Sequence, residues 1–400
     1  MDIICSAPYI ETHDNQTRLC CNVSLPGLPE QVMWYGVPHD YAQYLTSDRC
    51  DAFAAVLIPY AMRSGCDIRC EAPVSRKLLY QVNRYLIPAY NQNLPTTHPC
   101  KIIAEPASPV AENAGAVVSG WTGGVDSLYT LMHSINSPEP GYRLTHLFLL
   151  NCGTLEGDKL NEKLRFLVDR AQGSISKDTG LPVVGIDSNI HEILKERFLT
   201  IGTFRISGVA FALQKLIKTY LFSSSRNNTA ISYHEDDGTY NEIYDVQMLR
   251  TDSTTIYSAH KQTRPEKLHE LSEFPLAYRY LHPCAVSMHK PNCMHCPKCI
   301  KTALSLYALG TLSRFSQVFD YEYFNEHKVD YIAAAITQEA DFPIYREILD
   351  IIRQNPDISS DTLSQAEKRS KAMKSVYAAL SQNMSIADKL RTKSFPRRPF

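Results

Sequence analysis

Gly115-Ala116-Val117-Val118-Ser119-Gly120-Trp121-Thr122-Gly123-Gly124-Val125-Asp126-Ser127-Leu128-Tyr129-Thr130-Leu131 is the stretch from which the rest of the chain is read. Ala116, Val117 and Val118 are a run of small and β-branched residues. A glycine-rich turn follows, and then an apolar period of 3.6 through Leu128, Leu131 and Met132, so the stretch reads as strand, tight loop and helix. Glycines let a backbone approach an anion closely, and the first turn of a helix directs its N–H groups and the positive end of its dipole at that anion. The loop lacks the Walker lysine and no Gly-Lys-Ser/Thr occurs elsewhere, which excludes an ordinary P-loop NTPase. The residue types suit a nucleotide: Gly123 and Gly124 permit the turn, Val125 opens the helix, Thr122 and Ser127 offer hydroxyls to phosphate oxygens, and Asp126 offers a carboxylate to Mg²⁺.

Downstream, strands and helices alternate: strand 144–150, helix 158–171, strand 183–186, helix 208–220. That alternation implies an α/β fold with a parallel sheet whose ligand lies at the carboxyl ends of the strands. Asn151-Cys152-Gly153 follows the second strand, which puts Cys152 beside the nucleotide as a candidate nucleophile or sulfur carrier, provided its pKa is lowered. Arg205, read as preceding a helix, is the candidate for neutralising a phosphate oxygen. His234 and Glu235-Asp236-Asp237-Gly238 read as a solvated turn.

Upstream, residues 1–110 read as a separate α+β domain, with strands at 2–11, 17–24 and 31–35, helices at 51–63 and 74–92, and a linker over 105–113. Residues 114–312 form the nucleotide domain. Residues 313–400 read as a helical region (321–326, 329–337, 344–354, 361–381) with a basic tail over 389–398. A formal charge of -1 gives no basic field for nucleic acid or anionic membrane. The N-terminus shows no signal region, and the longest apolar stretch, near 54–62, is too short to span a bilayer, so a cytoplasmic protein is expected.

Twelve cysteines in such a chain point to metal ligation rather than disulfides wherever they cluster. Cys284, Cys293, Cys296 and Cys299 are separated by eight, two and two residues, which suits a closed tetrahedral Zn²⁺ site of structural role, with an iron–sulfur cluster as the other option. Cys5, Cys20, Cys21, Cys50, Cys66, Cys70 and Cys100 are scattered and are expected to be small buried hydrophobes.

Thr122-Gly123-Gly124-Val125-Asp126-Ser127 resembles the Ser-Gly-Gly-x-Asp-Ser signature of the PP-loop ATP pyrophosphatases. With the four cysteines about 160 residues later, the region from Ala116 to Leu309 is similar to the 7-cyano-7-deazaguanine synthase family. The resemblance implies an adenine nucleotide alpha-hydrolase-like core that uses ATP and Mg²⁺ and carries Zn²⁺. It also implies an activity: adenylation of a carbonyl or carboxyl oxygen of a purine-like or deazapurine substrate, with release of pyrophosphate and replacement of that oxygen by ammonia. Thr122, Gly123, Gly124, Asp126 and Ser127 take the ATP role, and the four cysteines the zinc role. The chain departs from the family in its extra terminal regions and in Asn151-Cys152-Gly153, which stands where an Asp-Tyr-Gly-like element is expected. Sulfur insertion from a sulfur donor, as in 6-thioguanine formation, and a nucleotide-binding regulatory subunit without turnover stay open. So do a protein or tRNA acceptor and a homodimer.

Overall fold

The computed structural model describes residues 2–110, 112–153, 155, 160–226, 231–258, 262–284, 286–287 and 292–381; the basic tail expected over 389–398 lies outside them. The chain divides into two compact units, Met1–Trp121 with His133–Lys261, and Thr122–Met132 with Gln262–Phe400. No described helix is long and apolar enough to cross a membrane.

The first unit is α/β. Its strands in chain order are β1 (Ile3–Cys5), β2 (Tyr9–His13), β3 (Gln16–Ser24), β4 (Gln31–Val37), β5 (Ile68–Cys70), β6 (Val74–Ser75), β7 (Ile102–Ile103), β8 (Pro106–Ala107), β9 (Ala116–Gly120), β10 (His146–Asn151), β11 (Val183–Ser188), β12 (Ile217–Phe222) and β13 (Thr255–Ser258). Eleven of them form one sheet in the order β13-β12-β9-β10-β11-β4-β3-β1-β5-β7, with β2 on β3. From β13 to β11 every pairing is parallel. Within that segment β9 is central and the strand order reverses beside it, the switch point of a doubly wound sheet. Strand β9 is buried on both faces, as its unbroken Ala-Val-Val run requires.

The N-terminal strands do not form a sheet of their own. β4 pairs antiparallel with β11, and Asn189 fastens the join: its Oδ1 accepts from the Trp34 N–H at 2.9 Å and its Nδ2 donates to the Val32 carbonyl at 2.8 Å. The expected boundary near residue 110 is therefore not where the compact units divide. The described part of the linker expected over 105–113 is structured too. It carries β8, which pairs with β6, and its Ser108 carbonyl accepts from Arg49.

The helix Asp51–Ser64 ends at Gly65, whose φ of 64° supplies a left-handed cap. Eleven of its fourteen residues are buried, because it packs on the sheet and against the helix Phe198–Ala212. Gly208 is the close-approach point. A methyl group there would overlap the Tyr35 hydroxyl and lie 2.9 Å from the Ala52 carbonyl oxygen. Gly208→Ala is expected to lower unfolding stability by about 1–3 kcal/mol, read from denaturant unfolding, despite the better helix propensity of alanine.

Two expectations fail for identifiable reasons. Residues 208–220 are not one helix; the helix ends at Ala212 and Ile217–Phe222 is the strand beside β9. A buried central strand has no alternation to separate it from a buried helix. Residues 321–337 form one helix, Tyr321–Gln338, which runs without a break through the polar Asn325-Glu326-His327-Lys328, His327 packing on Tyr323 one turn earlier. The helix expected over 74–92 is not uniform: a wide turn over Val82–Leu86 precedes its last segment, Ile87–Asn93, in whose first turn Pro88 needs no N–H partner.

The second unit is helical. Arg264–Leu271, Pro297–Ala308, Tyr321–Gln338, Pro343–Gln354 and Ser360–Ser381 pack around Leu268, Leu304, Phe315, Phe324, Ile332, Ile348 and Ile352.

Candidate functional site

The glycine-rich loop opens the second unit, ahead of the helix Val125–Ser134. Gly123 has φ 72°, and a Cβ on it would meet the Tyr280 carbonyl oxygen at 3.1 Å, so this position demands glycine on both counts. Its own carbonyl accepts from the His282 N–H at 2.7 Å. The loop hydroxyls hold its shape: Thr122 Oγ1 and Ser127 Oγ lie 3.1 Å apart, the Gly124 N–H donates to Thr122 Oγ1 at 3.2 Å, and Ser127 Oγ donates to the Gly124 carbonyl at 3.1 Å. Thr122 is exposed and Gly124 half-buried, so this end of the loop stays accessible.

Asp126 is not a bare carboxylate. Lys267, fully buried, places Nζ 2.7 Å from its Oδ1, and Arg264 places a guanidinium nitrogen 3.1 Å from its Oδ2. Both cations ride on the helix Arg264–Leu271, started by a capping box in which the Thr263 N–H donates to Glu266 at 2.7 Å. From the same helix Glu270 accepts from Tyr129 Oη at 2.8 Å. Arg264 and Lys267 were not identified by sequence reasoning. Their i, i+3 spacing after a Thr-x-x-Glu start was the available signal, but nothing in the sequence pairs residue 126 with residue 267.

In the first unit, Cys152 and Arg205 do come together, but not as expected. Arg205 lies inside the helix Phe198–Ala212 rather than before a helix, and it is buried. Its guanidinium donates to the carbonyls of Cys152 at 3.1 Å and Glu196 at 2.6 Å, and Gly153, at φ 90°, lets it come that close. Arg205 Nε and both ring nitrogens of neighbouring His191 have no hydrogen-bond partner among the described residues. Burial pushes the Cys152 thiol up to about 12, with Arg205 pulling weakly the other way, the reverse of what a nucleophile needs. The expected acidic turn is ordered: Asp237 accepts from Arg226 and from the Thr239 N–H.

The four downstream cysteines converge. The Sγ atoms of Cys284, Cys293, Cys296 and Cys299 all lie within 4.8 Å of one another, a cluster that could hold a metal ion such as zinc. Met294, with φ 58°, makes the tight turn. Cys293 Sγ accepts the N–H groups of His295 and Cys296, and Cys296 Sγ accepts that of Cys299 while capping the helix Pro297–Ala308. The Tyr331 hydroxyl buttresses the turn by donating to the Met294 carbonyl at 2.8 Å. In the first hundred residues burial is as expected for most cysteines, but Cys5, Cys50 and Cys70 are not scattered; their sulfurs also lie within 4.8 Å of one another.

One carboxyl was overlooked altogether. Asp245 is fully buried and accepts from Tyr90 Oη, Thr203 Oγ1 and Asn241 Nδ2, yet burial outweighs these donors and raises its pKa to about 7. The folded state therefore holds a proton that the unfolded chain has released by then. Its stabilising contribution is complete below the unfolded pKa near 4 and is lost as pH rises to about 7. Asp245→Asn is expected to raise the melting temperature at pH 8 and to flatten the fall in stability between about pH 4 and 7.

Comparison of the chain with protein-family profiles, with curated proteins and with solved structures gives no match.

Proposed function

We propose that the chain binds ATP at Thr122–Ser127 and cleaves it between the α and β phosphates. In this reading AMP is transferred to a carbonyl or carboxyl oxygen of a purine-like or deazapurine molecule, and a nitrogen nucleophile then displaces it. The observation that carries the reading is the loop itself: left-handed Gly123 and half-buried Gly124 at a helix N-terminus, two hydroxyls, and a pair of cations on the Asp126 carboxylate.

The N–H groups after Gly123 would receive phosphate oxygens, with the Thr122 and Ser127 hydroxyls turning outward to join them. Arg264, about a quarter exposed, is the cation able to leave Asp126 for a phosphate, whereas fully buried Lys267 keeps the carboxylate in place. Mg²⁺, when bound, would neutralise phosphate charge and polarise the bond that breaks. Asp126 would take that ion by giving up a cation contact, and of the two cations placed on it among the described residues Arg264 is the more exposed and so the one able to move. Zn²⁺ on Cys284, Cys293, Cys296 and Cys299 would find no open coordination position and so would contribute to folding.

Cys152 lends no support to sulfur insertion, since a buried thiol of raised pKa supplies little thiolate. A different observation favours a second reading. With both oxygens of Asp126 engaged by cations, a nucleotide could be held without turnover, as in a regulatory subunit. Incubation with ATP, deazapurine carboxylates and ammonia, followed by mass spectrometry, tests both. AMP, pyrophosphate and an amidated or nitrile product support the enzyme; bound, intact ATP supports the second reading; ADP and orthophosphate overturn the proposal.

A further inference from the structure

The convergence of N-terminal cysteines in the first unit is independent of any nucleotide chemistry. Cys5 ends β1, and the register pairs it with Val23 of β3 on one side and with Cys70 of β5 on the other. Residues opposite one another in a sheet share a face, and so do residues two apart on one strand. Cys5, Cys70 and Cys21 therefore project on one side. Cys50 reaches the same place from the N-cap of the helix Asp51–Ser64.

The sulfurs of Cys5, Cys50 and Cys70 lie within 4.8 Å of one another, and Cys21 Sγ lies 3.2 Å from Cys5 Sγ. Thiolates around a tetrahedral ion at about 2.3 Å stand roughly 3.8 Å apart, a spacing that the sulfurs of Cys5, Cys50 and Cys70 already approach, while Cys21, beside Cys5 but not within 4.8 Å of all three, swings inward to complete the set. Cys5, Cys21 and Cys50 are fully buried, while half-buried Cys70 offers a way in. The thiols of Cys21 and Cys50 both donate to the Ser6 carbonyl, at 3.3 and 3.4 Å, so this backbone oxygen already holds two of the four in place. The helix start at Cys50 turns the positive end of its dipole toward the cluster, which favours the anionic form a metal requires. Packing alone does not explain the pattern, since four residues from four separate elements need not all be sulfur to fill a core.

We propose that Cys5, Cys21, Cys50 and Cys70 form a thiolate site for a soft divalent cation of the Zn²⁺ class, separate from the downstream four-cysteine cluster. Binding forms four metal–sulfur bonds and releases four protons to solvent, with no change of oxidation state. Because no open position remains, its role is to clamp β1, β3, β5 and the helix Asp51–Ser64 together.

The test is metal analysis of the full chain purified under reducing conditions. About two zinc ions per chain are expected, with Cys70→Ser losing one of them and Cys296→Ser the other. Should Cys70→Ser fail to fold, wild-type protein reconstituted with ¹¹³Cd²⁺ decides the matter. Two cadmium resonances at thiolate-rich shifts support the site, and a single one overturns it. A metal content that Cys70→Ser leaves unchanged, or a Cys5–Cys21 disulfide found by mass spectrometry in the reduced native protein, also overturns it.

Discussion

Asp126→Asn is expected to lower AMP and pyrophosphate formation by at least about 10²- to 10³-fold and to destabilise the second unit at the same time. The first effect follows from the proposed chemistry, in which the carboxylate positions Arg264 for the phosphates and would help to hold Mg²⁺. The second follows from geometry alone. Lys267 is fully buried with Nζ 2.7 Å from Asp126, and removing the charge beside it leaves an ammonium in low dielectric, a change on the order of 3 kcal/mol. The two effects separate in a double variant. Asp126→Asn with Lys267→Met removes both charges and should recover most of the stability, because a buried pair replaced by apolar bulk is often neutral, but it should recover none of the turnover. Denaturant unfolding and product analysis on the two variants read the two quantities independently. A double variant with wild-type turnover would remove Asp126 from the chemistry.

Cys296→Ser is expected to lose one equivalent of metal and to lower the melting temperature by roughly 10 °C or more, since structural zinc contributes on the order of 10 kcal/mol to folding and one ligand carries a sizeable part of it. The cluster is also tied to the loop. His282, whose N–H holds the Gly123 carbonyl at 2.7 Å, stands two residues before Cys284, and Asn292, beside Cys293, donates through Nδ2 to the carbonyls of Leu281 and Val318. Loss of the metal should therefore free the loop as well as the helix behind it. The expected kinetic signature is a raised KM for ATP with kcat per folded molecule nearly unchanged, measured beside metal content and thermal unfolding. A variant that kept its metal and its melting temperature would remove the cluster as a metal site.

The features legible in the sequence were those carried by neighbours in the chain. Gly123 at a left-handed turn, the cap at Gly65 and the convergence of Cys284 through Cys299 each depend on a spacing of a few residues, and local chemistry specifies them. What escaped depends on pairings across long separations. Asp126 meets Lys267, Tyr90 meets Asp245, and Cys5 meets Cys50 and Cys70 only because the topology brings distant elements together. Arg205 was misplaced for a related reason: it lies in a helix apolar on every side, with no periodicity to mark its start.

The antiparallel join between β4 and β11 bears on how the molecule is made. The first strands of the chain can complete their sheet only after residues near 188 have been synthesised, since Trp34 takes its partner from Asn189, 155 positions later. At 5 to 20 residues per second that is a wait of roughly 8 to 30 s with the outer edge of β4 unpaired on the ribosome. These strands are thus made well before the one that covers the edge of β4. A fragment ending near residue 110 would be released with that edge bare, and on this account it should aggregate rather than fold.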